Sequence, residues 1–177
     1  MTNELKEFIL SIGASGIGFT DEKIPVDLSF RAACESNACG KYGKCWTCPP
    51  DAGDINTLSA SLEKYNHALV YQLVCPLEDS FDFEGMMDAK KRFFSITKQV
   101  QEYLTKHADG EYLHLGAGGC GVCPKCAKED DLPCRFPSLA ITSLEAYGVA
   151  VSTLAKNAGL KYINGPNTVT YFGAIFF

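Results

Sequence analysis

The chain has 177 residues, 46% of them hydrophobic and 21% charged, which suits one domain with its own core. Sixteen Lys and Arg against 21 Asp and Glu leave a formal net charge of −5, a poor match to nucleic acid or an anionic membrane as partner. No apolar run approaches the ~18 residues needed to span a bilayer. The opening MTNELKEFIL carries acid early and does not read as a signal peptide, so a cytoplasmic protein is expected.

Leu5, Phe8, Ile9 and Ile12 recur at helical spacing and predict an N-terminal amphipathic helix. Gly13 to Thr20 reads as a glycine-rich turn running into a strand. Residues 30–53 lack periodicity, hold four cysteines, and read as a loop that something other than a core must order. Asp54 is placed to cap a short helix with an apolar face of Ile55, Leu58, Leu62 and Tyr65. Ala68 to Cys75 predicts a strand buried on both faces. The longest helix is expected over 83–108, with Phe93, Thr97, Val100, Leu104 and His107 on its stripe. Tyr112 to Leu115 reads as a strand. Val151, Leu154, Ala155 and Ala158 mark a last helix stopped by Gly159. Tyr162–Ile163 and Thr168–Phe176 read as strands around a Gly165-Pro166-Asn167 turn. The order predicts an α/β fold: a single domain over 1–177, its mixed sheet flanked by helices and carrying two cysteine-rich metal-binding loops.

Nine cysteines are many for a cytosolic chain of this size. The cytosol keeps thiols reduced, and an odd number leaves one unpaired, so metal is the better reading than a disulfide framework. The second cluster runs Cys120-x2-Cys123-x2-Cys126-x7-Cys134. Three cysteines at steps of three let the backbone curl around one face of a cubane, and C-x2-C-x2-C opens the bacterial ferredoxin pattern. Zinc sites more often pair two separated C-x2-C units, but zinc stays open as the alternative, and purely structural thiols remain behind it. Gly116, Gly118 and Gly119 just before the run would let backbone N–H groups approach sulfur. The first cluster runs Cys34-x4-Cys39-x5-Cys45-x2-Cys48-Pro49-Pro50, where iron and a four-thiolate zinc site both fit.

CGKYGKCWTCPP, GAGGCGVCPKC and PCRFPSLAITSLEAYGVAV together resemble the DUF2284 family of predicted metal-binding proteins, from about Arg31 to the C-terminus. The resemblance places Cys34, Cys39, Cys48, Cys120, Cys123, Cys126 and Cys134 on the family's cysteines, and Tyr42, Gly43, Lys44 and Trp46 on its YGK-x-W core. These seven cysteines are the expected metal ligands. Cys45 stands at a position variable in the family; it is a possible additional ligand, with a bystander role favoured. Ala150 stands where the family commonly has Asp, which weakens the cap of the last helix. Seven does not divide into two sets of four, so either Cys45 or a non-cysteine group completes the first site, or one iron stays open to substrate.

Several weaker signals have ordinary explanations. GASGIG (Gly13 to Gly18) has the wrong glycine spacing for a dinucleotide loop and reads as a turn. Cys75 reads as a small buried hydrophobe. His107 reads as packing, His67 as isolated, and His114, six residues before Cys120, as a minor ligand candidate. Glu129, Asp130 and Asp131 read as a solvated run that could lower a cluster's potential. Lys44 and Arg135 read as surface cations or as partners of anionic substrate or thiolate. Lys90, Lys91 and Arg92 read as the solvated face of the long helix.

The expected function is that of a cytosolic iron–sulfur protein with one or two [4Fe-4S] clusters in redox chemistry or electron transfer. The alternatives are an enzyme whose open cluster desulfurates or reduces a small molecule, and a zinc-stabilised interaction module. The partner would be a redox protein or a small molecule, with a homodimer through the apolar end Tyr171–Phe177 an open possibility.

Overall fold

The computed structural model describes residues 2–177. Among these residues five strands form one sheet: β1 (Gly16–Thr20), β2 (Ala68–Pro76), β3 (Leu113–Gly116), β4 (Thr142–Ser143) and β5 (Thr168–Phe176), in the order β1-β2-β5-β3-β4. The pairs are antiparallel except β3 with β4, which is parallel, so the sheet is mixed. The helices are α1 (Thr2–Ser11), α2 (Arg31–Glu35), α3 (Ile55–Ala60), α4 (Phe83–His107) and α5 (Val151–Asn157), with short 3-10 turns between them. None is long and apolar enough to cross a membrane.

Alternation along the central strands divides the core in two. Leu69, Tyr71, Leu73 and Cys75 of β2, with Ile175 of β5, face Phe93, Ile96, Val100 and Leu104 of α4 and Leu5 and Ile9 of α1. Ala68 and Val70, with Phe172, Ala174 and Phe176, face Leu154, Ala155 and Ala158 of α5. Strands β2 and β5 therefore read as near-continuous apolar runs, because helices cover both sides. Of the C-terminal run, Tyr171–Phe176 lies in β5, between β2 and β3.

Local chemistry explains the boundaries. Asp54 accepts the Thr57 amide at 3.0 Å and starts α3, which continues as a 3-10 turn to Lys64. Asp82 accepts the Gly85 amide at 2.8 Å and starts α4. Ala150 leaves α5 without a side-chain cap, and Gly159, at φ 74°, closes it as the Leu160 amide reaches back to the Ala155 carbonyl. GASGIG is the turn after α1 and the start of β1. A Cβ on Gly18 would lie 1.9 Å from the Ala158 carbonyl oxygen, so this glycine lets α5 settle on β1.

Three expectations need correction. Tyr162 and Ile163 form no strand; both are exposed, and Tyr162 instead stacks on Phe172 with ring centroids 5.6 Å apart. Strand β4 fills the sheet's far edge in their place. His107 does not extend the buried stripe of α4: it is exposed and lies on Tyr103 at 4.5 Å, because the helix outruns the sheet there. Residues 30–53 are not all loop, since α2 opens them with a buried arginine, Arg31.

Candidate metal centre

The two cysteine loops meet at one end of the sheet. Arg31 anchors the first. Its guanidinium donates to the Ala146 carbonyl at 3.0 Å and to the Gly53 carbonyl at 2.7 Å, tying both ends of loop 31–53 to the turn before α5. The second loop leaves β3 through Gly118 and Gly119, both at positive φ (76° and 74°), where a side chain would strain the backbone. A Cβ on Gly119 would also stand 3.2 Å from Cys48 Sγ, so this glycine lets the second loop close on a cysteine of the first.

Polar contacts then stitch the loops together. Trp46 Nε1 donates to the Leu132 carbonyl at 2.9 Å. Lys128 Nζ pairs with Asp51 at 2.9 Å and lies 4.5 Å from the Trp46 ring centroid. Arg135 donates to the Lys125 carbonyl at 3.0 Å, and Lys125 pairs with Asp130 at 2.5 Å. Asp131 stands 3.7 Å from Lys128, so lysines offset much of the acidic run 129–131.

One pocket at this junction is lined by five cysteines, Cys45, Cys120, Cys123, Cys126 and Cys134, with Trp46, Ala127 and Phe136 among its walls. No imidazole or carboxylate lines it. Backbone N–H groups of Val122 and Ile141 reach the Cys120 sulfur, which burial otherwise pushes toward the neutral thiol. Cys34, Cys39 and Cys48 lie outside this pocket. The Cys48 thiol is raised by its hydrogen bond to Cys45, by burial, and by the charges of Cys45, Cys39 and Cys34. Cys34 is raised by burial first and then by the charge of Glu145. Glu145 is itself raised by burial, against hydrogen bonds from its own backbone and Ser143 that lower it.

Cys45 is the first loop's cysteine in this pocket; it is 4% exposed and lies 3.4 Å from Thr47 Oγ1. Without metal its thiol is held down to about 5, chiefly because Cys48 donates to it. All nine cysteines are free thiols. Among the described residues no three His, Cys, Asp or Glu side chains stand at the spacing of a single-ion site. The donor set is nevertheless all sulfur, the soft ligand that suits iron–sulfur clusters or zinc, and it exceeds the four thiolates that one tetrahedral zinc takes.

A family model described as "Predicted metal-binding protein (DUF2284)" matches residues 19–177. The chain belongs to the DUF2284 family. Metal binding thus has the support of the family as well as of the thiol-lined pocket. A search of curated proteins found no match. Among solved structures, the chain is similar to epoxyqueuosine reductase from Bacillus subtilis at 13% identity and a TM-score of 0.38, over 98% of this chain and 44% of that one. The chain thus spans less than half the length of that protein.

The remaining candidates sort by position. His114 does not face the thiols. It is buried between β3 and α4, where Tyr71 donates to Nε2 at 2.7 Å and Nδ1–H donates to Gln101 Oε1 at 3.0 Å. Gln101 Nε2 donates on to the Ser138 carbonyl, which fixes the amide's orientation and with it the histidine tautomer. Burial holds His114 neutral, its pKa lowered to about 3. Cys75 is buried on the α4 face, with Arg92 3.5 Å from its sulfur. His67 is exposed beside Phe19 and Phe177, and Lys44 is exposed. Arg31 and Glu145 carried no signal in spacing, though Glu145 sits inside the SLEAYG stretch that resembles the family.

Proposed function

We propose that this chain is an iron–sulfur protein that carries electrons, with two [4Fe-4S] clusters held at the junction of its loops. Cys120, Cys123, Cys126 and Cys134 would hold one. Cys34, Cys39 and Cys48 would hold the other, with its fourth position left to a non-cysteine group. When bound, such a cluster takes up and returns an electron at a potential set by its charge, its exposure and hydrogen bonds to sulfur.

The observation that carries this reading is the pocket at the loop junction, lined by Cys120, Cys123, Cys126 and Cys134 of the second loop and Cys45 of the first, with no imidazole or carboxylate in its wall. The chain's own contribution is to hold and cover that junction. Trp46 lies over the second loop, Arg31 fixes the first, and N–H groups at Cys120 favour the thiolate. Adjacency of the two thiol groups suits passage of an electron from one to the other.

One observation favours a second reading. The three-thiol group has a half-buried carboxyl, Glu145, whose charge acts on Cys34. An incompletely ligated iron beside a group able to hold a proton suits reduction or desulfuration of a small molecule. The test is purification without air, followed by visible absorbance and electron paramagnetic resonance before and after dithionite. A brown protein whose absorbance bleaches and whose reduced form is paramagnetic supports the proposal. A colourless protein with stoichiometric zinc refutes it.

A further inference from the structure

We propose that Gln101 is a positioning residue for the cysteine pocket: it carries the hold of the buried Tyr71–His114 pair out to segment 134–141, the wall that brings in Cys134. The inference rests on the reading above that Cys134 is a ligand.

Cys120, Cys123 and Cys126 are placed by their own short spacing. Cys134 comes only after seven further residues, so its position depends on what holds the chain beyond it. Phe136 and Ala140 line the cysteine pocket with Cys134. Leu139 and Ile141 line a smaller neighbouring cavity that also reaches Cys120. Ser138 lies in the middle of this wall, in a turn closed by the Leu139 N–H on the Phe136 carbonyl at 3.1 Å. Past Ile141 the chain joins the sheet as β4, paired with Leu115 and Gly116. Arg135 bonds within the second loop itself, to the Lys125 carbonyl, and does not tie the wall to the sheet.

That tie comes from α4. Gln101 Nε2 donates to the Ser138 carbonyl at 3.0 Å, and Gln101 Oε1 accepts from His114 Nδ1–H at 3.0 Å. His114 Nε2 accepts from the Tyr71 hydroxyl at 2.7 Å. Tyr71 and His114 are 0% and 5% exposed, and Tyr71 packs in the layer of Leu69, Leu73, Phe93 and Val100. A phenol and an imidazole in such a layer cost stability unless fully paired, and an apolar pair of the same size fills the space as well. Packing alone therefore does not call for them. Gln101 is half-buried, and its amide ends on a loop carbonyl where it could have ended in water. Each bond fixes the orientation of the next group, so the amide that reaches Ser138 is aimed from the core. Groups one step removed from a metal ligand orient it, and their loss costs roughly 10- to 100-fold in metal affinity.

Gln101→Met removes both bonds of the amide. Gln101→Glu keeps an acceptor for His114 and removes the donor to Ser138. Leu154→Ala, which hollows the core on the other face of the sheet, is the control for plain loss of stability. In the metal-loaded chain purified without air, both Gln101 variants are expected to give up metal to a chelator roughly 10-fold faster than the parent. Leu154→Ala should release it at the parent's rate. Amide hydrogen exchange should quicken over 136–141 in the Gln101 variants and not in the control. Metal release at the parent's rate from both Gln101 variants would overturn the inference, whatever the exchange shows. Equal acceleration in Leu154→Ala would overturn it as well, since the effect would then be one of stability alone. A parent chain that binds no metal would instead remove the ligand reading, while exchange over 136–141 would still show whether Gln101 holds the wall.

Discussion

The sheet sandwich and the cysteine loops are held together by different physics. In the sandwich, apolar side chains from α1, α4 and α5 close both faces of β2 and β5, and residues such as Phe93, Leu115 and Ala174 are fully buried. In the loops the holding contacts are polar: a guanidinium on two carbonyls, an indole N–H, a lysine between an aspartate and a ring. Their larger apolar residues, Leu132 and Phe136, are 54% and 47% exposed. A core of this kind forms from sequence alone, whereas loops of this kind are ordered by what they bind.

The sharpest way to break the comparison is to remove the metal. Chelation is expected to open loop 31–53 to proteases while β2, β5 and α4 stay protected. Equal protection of the loop with and without metal would mean that Arg31 and Trp46 suffice to order it. The converse break lies in the core. Phe93→Ala empties a site packed against Tyr71 and Tyr171 and should cost about 3–5 kcal/mol in denaturant unfolding. The folded fraction should keep its full metal content.

Acid probes the seam between the regions. His114 has its pKa lowered to about 3 in the fold from an ordinary 6.5, so the unfolded chain binds a proton that the folded chain refuses. Its contribution is complete above 6.5 and is lost progressively as pH falls toward 3, amounting to about 2 kcal/mol by about pH 5. His114→Gln should flatten that part of the stability-against-pH curve; an unchanged slope would place the acid sensitivity elsewhere. The smallest expected effect is at Trp46→Phe, which loses the bond to the Leu132 carbonyl. It should cost about 1 kcal/mol and show as faster cleavage near Leu132.

The sandwich was largely legible because burial on two faces writes itself as apolar runs and helical stripes. Ala68–Cys75, the 83–108 stripe and Thr168–Phe176 lie close to β2, α4 and β5. Strand β4 was invisible because two residues carry no period, and its pairing with Leu115 and Gly116 is settled by tertiary packing. Tyr162–Ile163 misled because β-forming side chains on an exposed turn look like a short strand. The cysteines announced themselves by spacing, but their grouping did not. Neither the place of Cys45 in the pocket of Cys120, Cys123, Cys126 and Cys134 nor the influence of Glu145 on Cys34 follows from distance along the chain. Arg31 was equally hidden, since its carbonyl partners lie 22 and 115 residues away.

The central claim is that the thiols at the loop junction hold two iron–sulfur clusters. Iron and acid-labile sulfide counted on anaerobically purified chain test it most directly. The account predicts about eight of each per chain, four for each cubane. Zinc in their place, with no labile sulfide, would contradict it.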